Sequence, residues 1–328
     1  MKSSRLISLG AAAVVAALMS TAPLAQQKPA GGAAARTPWG DPDLQGTWTA
    51  EAELSVPFER PAQYGDRQVL TDQEFAQRLT QTQKQVQSDN SEFDIDTADR
   101  SNAGAVGSAT SPPPHWLERG KTSRRTSIVI DPPNGRVPPL VPEAQKRGLG
   151  LRGTFAGSTF NGPEDLSLWE RCITRGMPSA IFPTVYNANV RIVQGPGVIA
   201  VTYEMIHDTR VISIDNRTHV GAGVRGYFGD SRAHWEGDTL VVDVTNISDK
   251  GNYRGSRETL HLTERWYRTA QGLRYEVTAD DPQTWTKPWT AALELAPQPD
   301  GMFEYACHEG NNSMRNILSA ARAAEKKK

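Results

Sequence analysis

From position 189 to position 307 the chain is a succession of short β-rich runs, each closed by a polar or glycine-bearing turn. That rhythm constrains the fold more than any other feature. The runs are NVRIVQG, GVIAVTYEM, TRVISIDNRTH, SRAHWEGDTLVVDVTN, ETLHLTERWYR, GLRYEVTAD, WTAALELA and MFEYAC. Between them stand Gly195-Pro196-Gly197, Glu236-Gly237, Gln271-Gly272 and Asp300-Gly301. Sequential strands with tight turns read as an antiparallel meander. A meander this long curls and closes, because an open edge is a row of unpaired backbone groups. The expectation is a mainly β, calycin-like barrel or strongly curled sheet over 189–328. It ends in a helix with Met314, Ile317, Leu318 and Ala321 on one face.

Upstream the signals are different. Lys2 and Arg5, the apolar run 6–19 and the small residues up to Ala25 read as a secretory signal peptide over 1–25. The apolar run is too short to span a bilayer. Residues 26–38 have a tether composition, and 39–188 read as an N-terminal extension packed on the barrel. Within it Thr71 and Glu74 form a capping box for a helix over 71–88. A long polar loop follows, then a strand over 126–130 stopped by Pro132 and Pro133, and a helical turn or two around Cys172. The mature chain is expected to be periplasmic or secreted, without membrane insertion.

Charge is balanced, with 36 basic and 37 acidic residues and no basic stripe, which argues against a nucleic-acid partner. In an oxidising compartment Cys172 and Cys307 read as a disulfide rather than two buried thiols. Closing so long a loop stabilises by about 4–5 kcal/mol in the chain-entropy model.

Three polar clusters are candidates for chemistry. In GDSRAHWEGDTLVVDV, Asp230, Arg232 and His234 recur at period two and share one strand face, with Trp235 turned the other way. That face is either solvated or lines a polar cavity. Glu236 and Asp238 belong to the hairpin turn. In YEMIHDTR, His207 suits proton transfer, with Glu204 or Asp208 to orient it and Arg210 to hold an anion. In FEYACHEGN, His308 stands beside Cys307, fixed by the bridge. His219 reads as a loop residue. His261, Thr263, Arg265 and Tyr267 share one strand face. Tyr186, Tyr203, Trp235, Trp266 and Trp285 supply aromatic walls for a ligand. There is no G-x-S-x-G, H-E-x-x-H or C-x-x-C. No cofactor is implied, although scattered histidines leave a His-bound metal open.

Taken together, DPPNGRVPPLVPEAQKR, PEDLSLWERCI, YNANVRIVQGPG, EMIHDTRVI, GDSRAHWEGDTLVVDVTN, DDPQTWTKPWT and YACHEGN resemble a large family of exported bacterial proteins. That family is plentiful in acidobacteria and proteobacteria. Ala233 departs from its pattern, where glycine is expected, and 87–120 is richer in Ser and Pro than usual. The resemblance implies export and carries no chemistry with it. Gly46-Thr47-Trp48 is similar to the G-x-W of lipocalin-type barrels, which implies a barrel built around a ligand.

Two readings result. The first is an exported hydrolase or lyase acting on a carbohydrate or aromatic compound. It would use His207, Asp208, Glu204, His234 and His308, with Arg210 and Arg232 holding the substrate. The second is a non-catalytic lipocalin-like barrel that binds a small molecule.

Overall fold

The computed structural model describes residues 35–91, 121–150, 153, 160–184, 186–215, 217–251 and 253–326. The expected signal peptide, most of the expected tether and most of the long polar stretch lie outside the described residues. Ten strands form one sheet. They are β1 (Gly46–Thr49), β2 (Val129–Asp131), β3 (Asn189–Gly195), β4 (Val198–Tyr203), β5 (Asp208–Ile214), β6 (Asp230–Glu236), β7 (Thr239–Thr245), β8 (His261–Arg268), β9 (Leu273–Asp280) and β10 (Trp289–Pro297). Their order is β1-β3-β4-β5-β6-β7-β8-β9-β10-β2, and β1 also pairs with β10. Nine strands therefore close into a barrel, with β2 as an extra strand on β10. Among the described residues three α-helices, α1 (Asp72–Ser91), α2 (Pro142–Arg147) and α3 (Ser313–Glu325), lie outside it.

Alternation produces this barrel. In β9, Leu273, Tyr275, Val277 and Ala279 are buried while Arg274, Glu276, Thr278 and Asp280 are not. Period-two patterning of this kind sends one face of every strand inward. The inward side chains, from Trp48 through Val242 and Trp266 to Leu295, belong to one continuous buried cluster. A large apolar side chain buried this completely contributes about 1.5–3 kcal/mol.

The expected meander differs in one place. β5 and β6 pair in parallel, through Ser213↔Arg232 and Ile214↔Ala233. The polar, glycine-rich stretch between them is too long for a hairpin and carries the chain back to the other end of the barrel. Gly229, at φ 68°, ends that crossover against the carbonyl of Thr245, where a Cβ would collide. Other boundaries also shift. The first strand belongs to the barrel rather than to a separate extension. The strand near 126–130 covers only Val129–Asp131. The β6–β7 turn is Gly237-Asp238, one residue later than expected. The segment around Cys172 makes the expected single turns, a 3-10 turn over Pro163–Asp165 and one closed by the Arg171 N–H on the Ser167 carbonyl at 3.1 Å, whereas MFEYAC makes no strand. That last run follows Pro297 and Pro299, and β1 already occupies the strand position beside β10.

Closure between β10 and β1 rests on two residue pairs, Trp48↔Pro297 and Thr49↔Ala296. Side chains complete the seam. Glu53 accepts the Glu294 N–H at 3.2 Å, and Arg125 donates to the Ala292 carbonyl at 2.8 Å. The two charges pair at 2.7 Å, with Glu53 1% exposed. Burial raises the Glu53 pKa against the opposing pull of Arg125.

The disulfide Cys172–Cys307 is formed, with its Cα atoms 5.8 Å apart. It ties the segment before α3 to the loops over one end of the barrel. On α3, Met314, Ile317, Leu318 and Ala321 are half-buried, as their spacing requires. The Thr71–Glu74 capping box forms at the start of α1. Among the described residues no helix is long and apolar enough to cross a membrane.

Candidate active site on the outer wall

The stretch Asp230–Glu236 alternates as its spacing requires. Ser231 and Ala233 are buried, and Trp235 is half-buried against the core. Asp230, Arg232, His234 and Glu236 face outward. Asp243 on β7 pairs across from Arg232, and Thr263 on β8 pairs across from Asp243. Two residues before Thr263, at the start of β8, His261 lies on the same outer face. The crossover brings His219 down onto this surface.

The result is a chain of carboxylates and imidazoles. His219 Nδ1 lies 2.9 Å from Asp230 Oδ2, and His219 Nε2 lies 2.6 Å from Asp243 Oδ1. The other Asp243 oxygen lies 2.6 Å from His261 Nε2. One carboxylate thus bridges two imidazoles. Asp230 also accepts the Val220 N–H at 3.0 Å and Arg232 Nε at 3.2 Å. Burial pushes the Asp230 carboxyl up, but Val220, Arg232 and His219 together outweigh it and hold its pKa below the ordinary value. Asp215 braces Arg232 and Arg217 in turn.

The two histidines differ in what they have left to offer. Both nitrogens of His219 are engaged by carboxylates. His261 uses only Nε2, and its side chain is 43% exposed. With Nε2–H donated to Asp243, the neutral ring presents Nδ1 as a lone-pair acceptor toward solvent. A carboxylate that fixes the tautomer of an accessible imidazole is the arrangement of a general base. Sequence reasoning named Asp230 and Arg232, placed His261 on a strand face and His219 in a loop, but did not join them into one centre and left out Asp243. Asp243 comes from the far half of the hairpin and His219 from the crossover. The signal available was that Asp243 and His261 each fall on the outward register of their strands.

The other expected site residues are dispersed. His234 is exposed on the outer wall toward the opposite end, 3.3 Å from Glu236. His207 is exposed at the capped end in a tight turn where Ile206 and His207 both have positive φ, 68° and 58°. Glu204 is buried and spent on structure: it accepts the Asn189 amide at 2.7 Å and the Phe303 N–H at 2.7 Å. Burial raises the Asp208 pKa, against hydrogen bonds from Thr174 and the Thr209 N–H. His308 is exposed beside the disulfide. His234 therefore lies apart from the other two, and no single site gathers the three histidines.

Arg210, Tyr203 and Trp266 are lumen residues rather than parts of a site open to substrate. Arg210 Nη1 lies 2.8 and 2.9 Å from the two Glu264 oxygens, and Arg210 Nε donates to Ser231 at 3.0 Å. Trp266 Nε1 donates to Glu264 at 3.2 Å. Burial pushes the Tyr203 phenol up to about 12. Trp285 is buried edge-on against Trp289, their rings 5.6 Å apart. Tyr186 stacks on Tyr305 at 6.4 Å.

Among the described residues no group of three or more His, Cys, Asp and Glu is arranged to hold a metal ion. An open cleft of about 540 Å³ lies between α1 and the segment around Tyr64. Comparison with protein-family models, curated proteins and solved structures finds no match for this chain.

Proposed function

We propose that this is an exported protein that performs acid–base chemistry on a small polar molecule at its outer wall, with His261 as the proton-transferring group. The observation that carries the reading is the Asp243 carboxylate shared by His219 and His261 at 2.6 Å each. Asp243 orients His261. His219, held by Asp230, keeps Asp243 in place. The surrounding surface is open and polar, with Arg232 and Thr263 beside Asp243 and Asp280 across from His261. Such a surface suits a hydroxyl-rich substrate, and hydrolysis or elimination of a carbohydrate derivative is the chemistry it favours. Export rests on the signal-like N-terminus and on the disulfide.

The lipocalin-like alternative requires room for a ligand inside the barrel. The inward face carries the buried Arg210–Glu264 ion pair beside Trp266 and Tyr275, which speaks against an apolar ligand pocket there.

The test is a screen of the purified protein against glycosides and uronide-type elimination substrates, beside His261→Gln. Turnover that falls by about 10²–10⁴ in a folded variant supports the assignment. Turnover unchanged by His261→Gln removes it.

A further inference from the structure

The open cleft beside α1 is bounded on one side by that helix and on the other by the short helical turns Glu51–Ser55 and Ala62–Tyr64. The segment 123–125 pins the helix in place. Arg78 Nη1 donates to the Ser123 and Arg125 carbonyls at 2.9 and 2.8 Å. Arg124 pairs with Asp72 at 2.7 Å and lies 4.3 Å over the Phe75 ring. A stripe of the same helix, carrying Gln77, Gln81 and Gln85 at four-residue spacing, forms the cleft wall. From Glu74 to Gln85 that wall runs about 16 Å. The volume, about 540 Å³, is in the range of small-ligand sites.

What this cleft offers a ligand is mainly free amides. Among the described residues the side chains of Gln63, Gln77 and Gln81 make no hydrogen bond, and all three are exposed on the cleft lining. The half-buried Glu51 carboxylate also has neither a hydrogen bond nor an ion pair among them. The other charges are already engaged. Glu74, at the rim, is held by Arg67 at 2.7 and 2.8 Å and by the Thr71 hydroxyl at 2.9 Å. Arg78, the one cation among the described lining residues, is bonded to the Ser123 and Arg125 carbonyls. Leu54, Pro57 and Pro61 are half-buried and add an apolar strip opposite the helix.

We infer that this cleft binds a short neutral oligosaccharide. A primary amide both donates and accepts, as every sugar hydroxyl does, so each free glutamine can serve a hydroxyl in either sense. Side chains one helical turn apart, as Gln77 and Gln81 are, start about 5–6 Å from each other. That is close to the span between hydroxyls on opposite sides of a pyranose ring. Gln63 and Glu51 reach the same ligand from the facing wall, and the apolar strip takes the C–H face of the ring. An anionic ligand finds no unpaired cation here and meets the Glu51 carboxylate. A proline-rich peptide needs open aromatic faces, and the Tyr64 ring already lies under Arg67 at 5.5 Å. The cleft is built from α1 and the segments after β1, whereas His261 lies on β8, so the inference stands apart from the wall chemistry.

The experiment is calorimetric titration of the full mature chain with cellohexaose, xylohexaose, mannohexaose and maltohexaose, beside an oligogalacturonate and a proline-rich peptide. At least one neutral oligosaccharide binds, and the oligogalacturonate and the peptide do not. The double variant Gln77→Ala, Gln81→Ala loses about tenfold or more in affinity, as the removal of two hydrogen-bonding amides implies. Alanine is the better helix former, so α1 stays folded, which circular dichroism checks. Gln83→Ala, on the same helix outside the cleft lining, binds as the parent does. His261→Gln also binds as the parent does, which separates this site from the wall chemistry. Failure of all four neutral oligosaccharides to bind the folded parent overturns the proposal. So does binding of the oligogalacturonate or the peptide in their place, or an affinity that the double variant leaves unchanged.

Discussion

Arg210 and Glu264 meet in the middle of the lumen, Nη1 within 2.8 and 2.9 Å of the two carboxylate oxygens, with both side chains essentially sealed from solvent. Burial works against the Arg210 charge, but Glu264 and Tyr203 outweigh it and raise its pKa. Removing one partner strands the other charge in an apolar lumen, so Arg210→Met and Glu264→Gln should each destabilise by about 3–5 kcal/mol. Replacing both with apolar residues should recover most of that loss. A double-mutant cycle by urea denaturation reads the coupling. Additive losses would show that the pair is not one buried unit.

At the seam, Glu53→Ala should cost about 3 kcal/mol or more. It leaves Arg125 without its partner and the Glu294 N–H without its acceptor. Hydrogen exchange should locate the loss: amides of β1 and β10 become less protected than those of β7 and β8. Uniform loss across all strands would argue against a local seam.

Two carboxylates give opposite dependences on pH. Asp230 has its pKa lowered from 3.8, so its contribution to stability is complete above 3.8 and is lost as pH falls through the lower folded value. Asp208 has its pKa raised from 3.8, so folding disfavours its charge, and stability rises as pH drops through the raised value toward 3.8. Denaturation between pH 7 and 2 should therefore show Asp230→Asn with a smaller acid loss than the parent. Asp208→Asn should equal or exceed the parent in stability at pH 7. The reverse order would contradict both assignments.

Much of the barrel was legible because strand alternation is local. β3 to β10 follow the apolar rhythm of the runs from Asn189, and the capping box of Thr71 and Glu74 lies within four residues. The parallel β5–β6 pair was not legible, since nothing in the crossover announces which end of the barrel it returns to. The lumen ion pair was half legible. Arg210 alternates with Ile212 in TRVISI, and Glu264 with Leu262 and Trp266 in HLTERWY, so both charges sit in an inward register. Reading Arg210 instead as a ligand-holding residue gave its charge more weight than its position on the strand. The wall site required contacts between residues up to 24 positions apart, as from His219 to Asp243. The seam required contacts across 241 positions, from Glu53 to Glu294. Neither spacing leaves a periodic trace.

The wall assignment depends on which nitrogen of His261 carries the proton, and long-range ¹H–¹⁵N spectra of the histidine rings report it without a substrate. With His261→Gln to assign the signals, neutral His261 should appear as the Nε2–H tautomer, and Asp243→Asn should shift that preference. A predominantly Nδ1–H ring at His261, or a spectrum that Asp243→Asn leaves unchanged, would contradict the account.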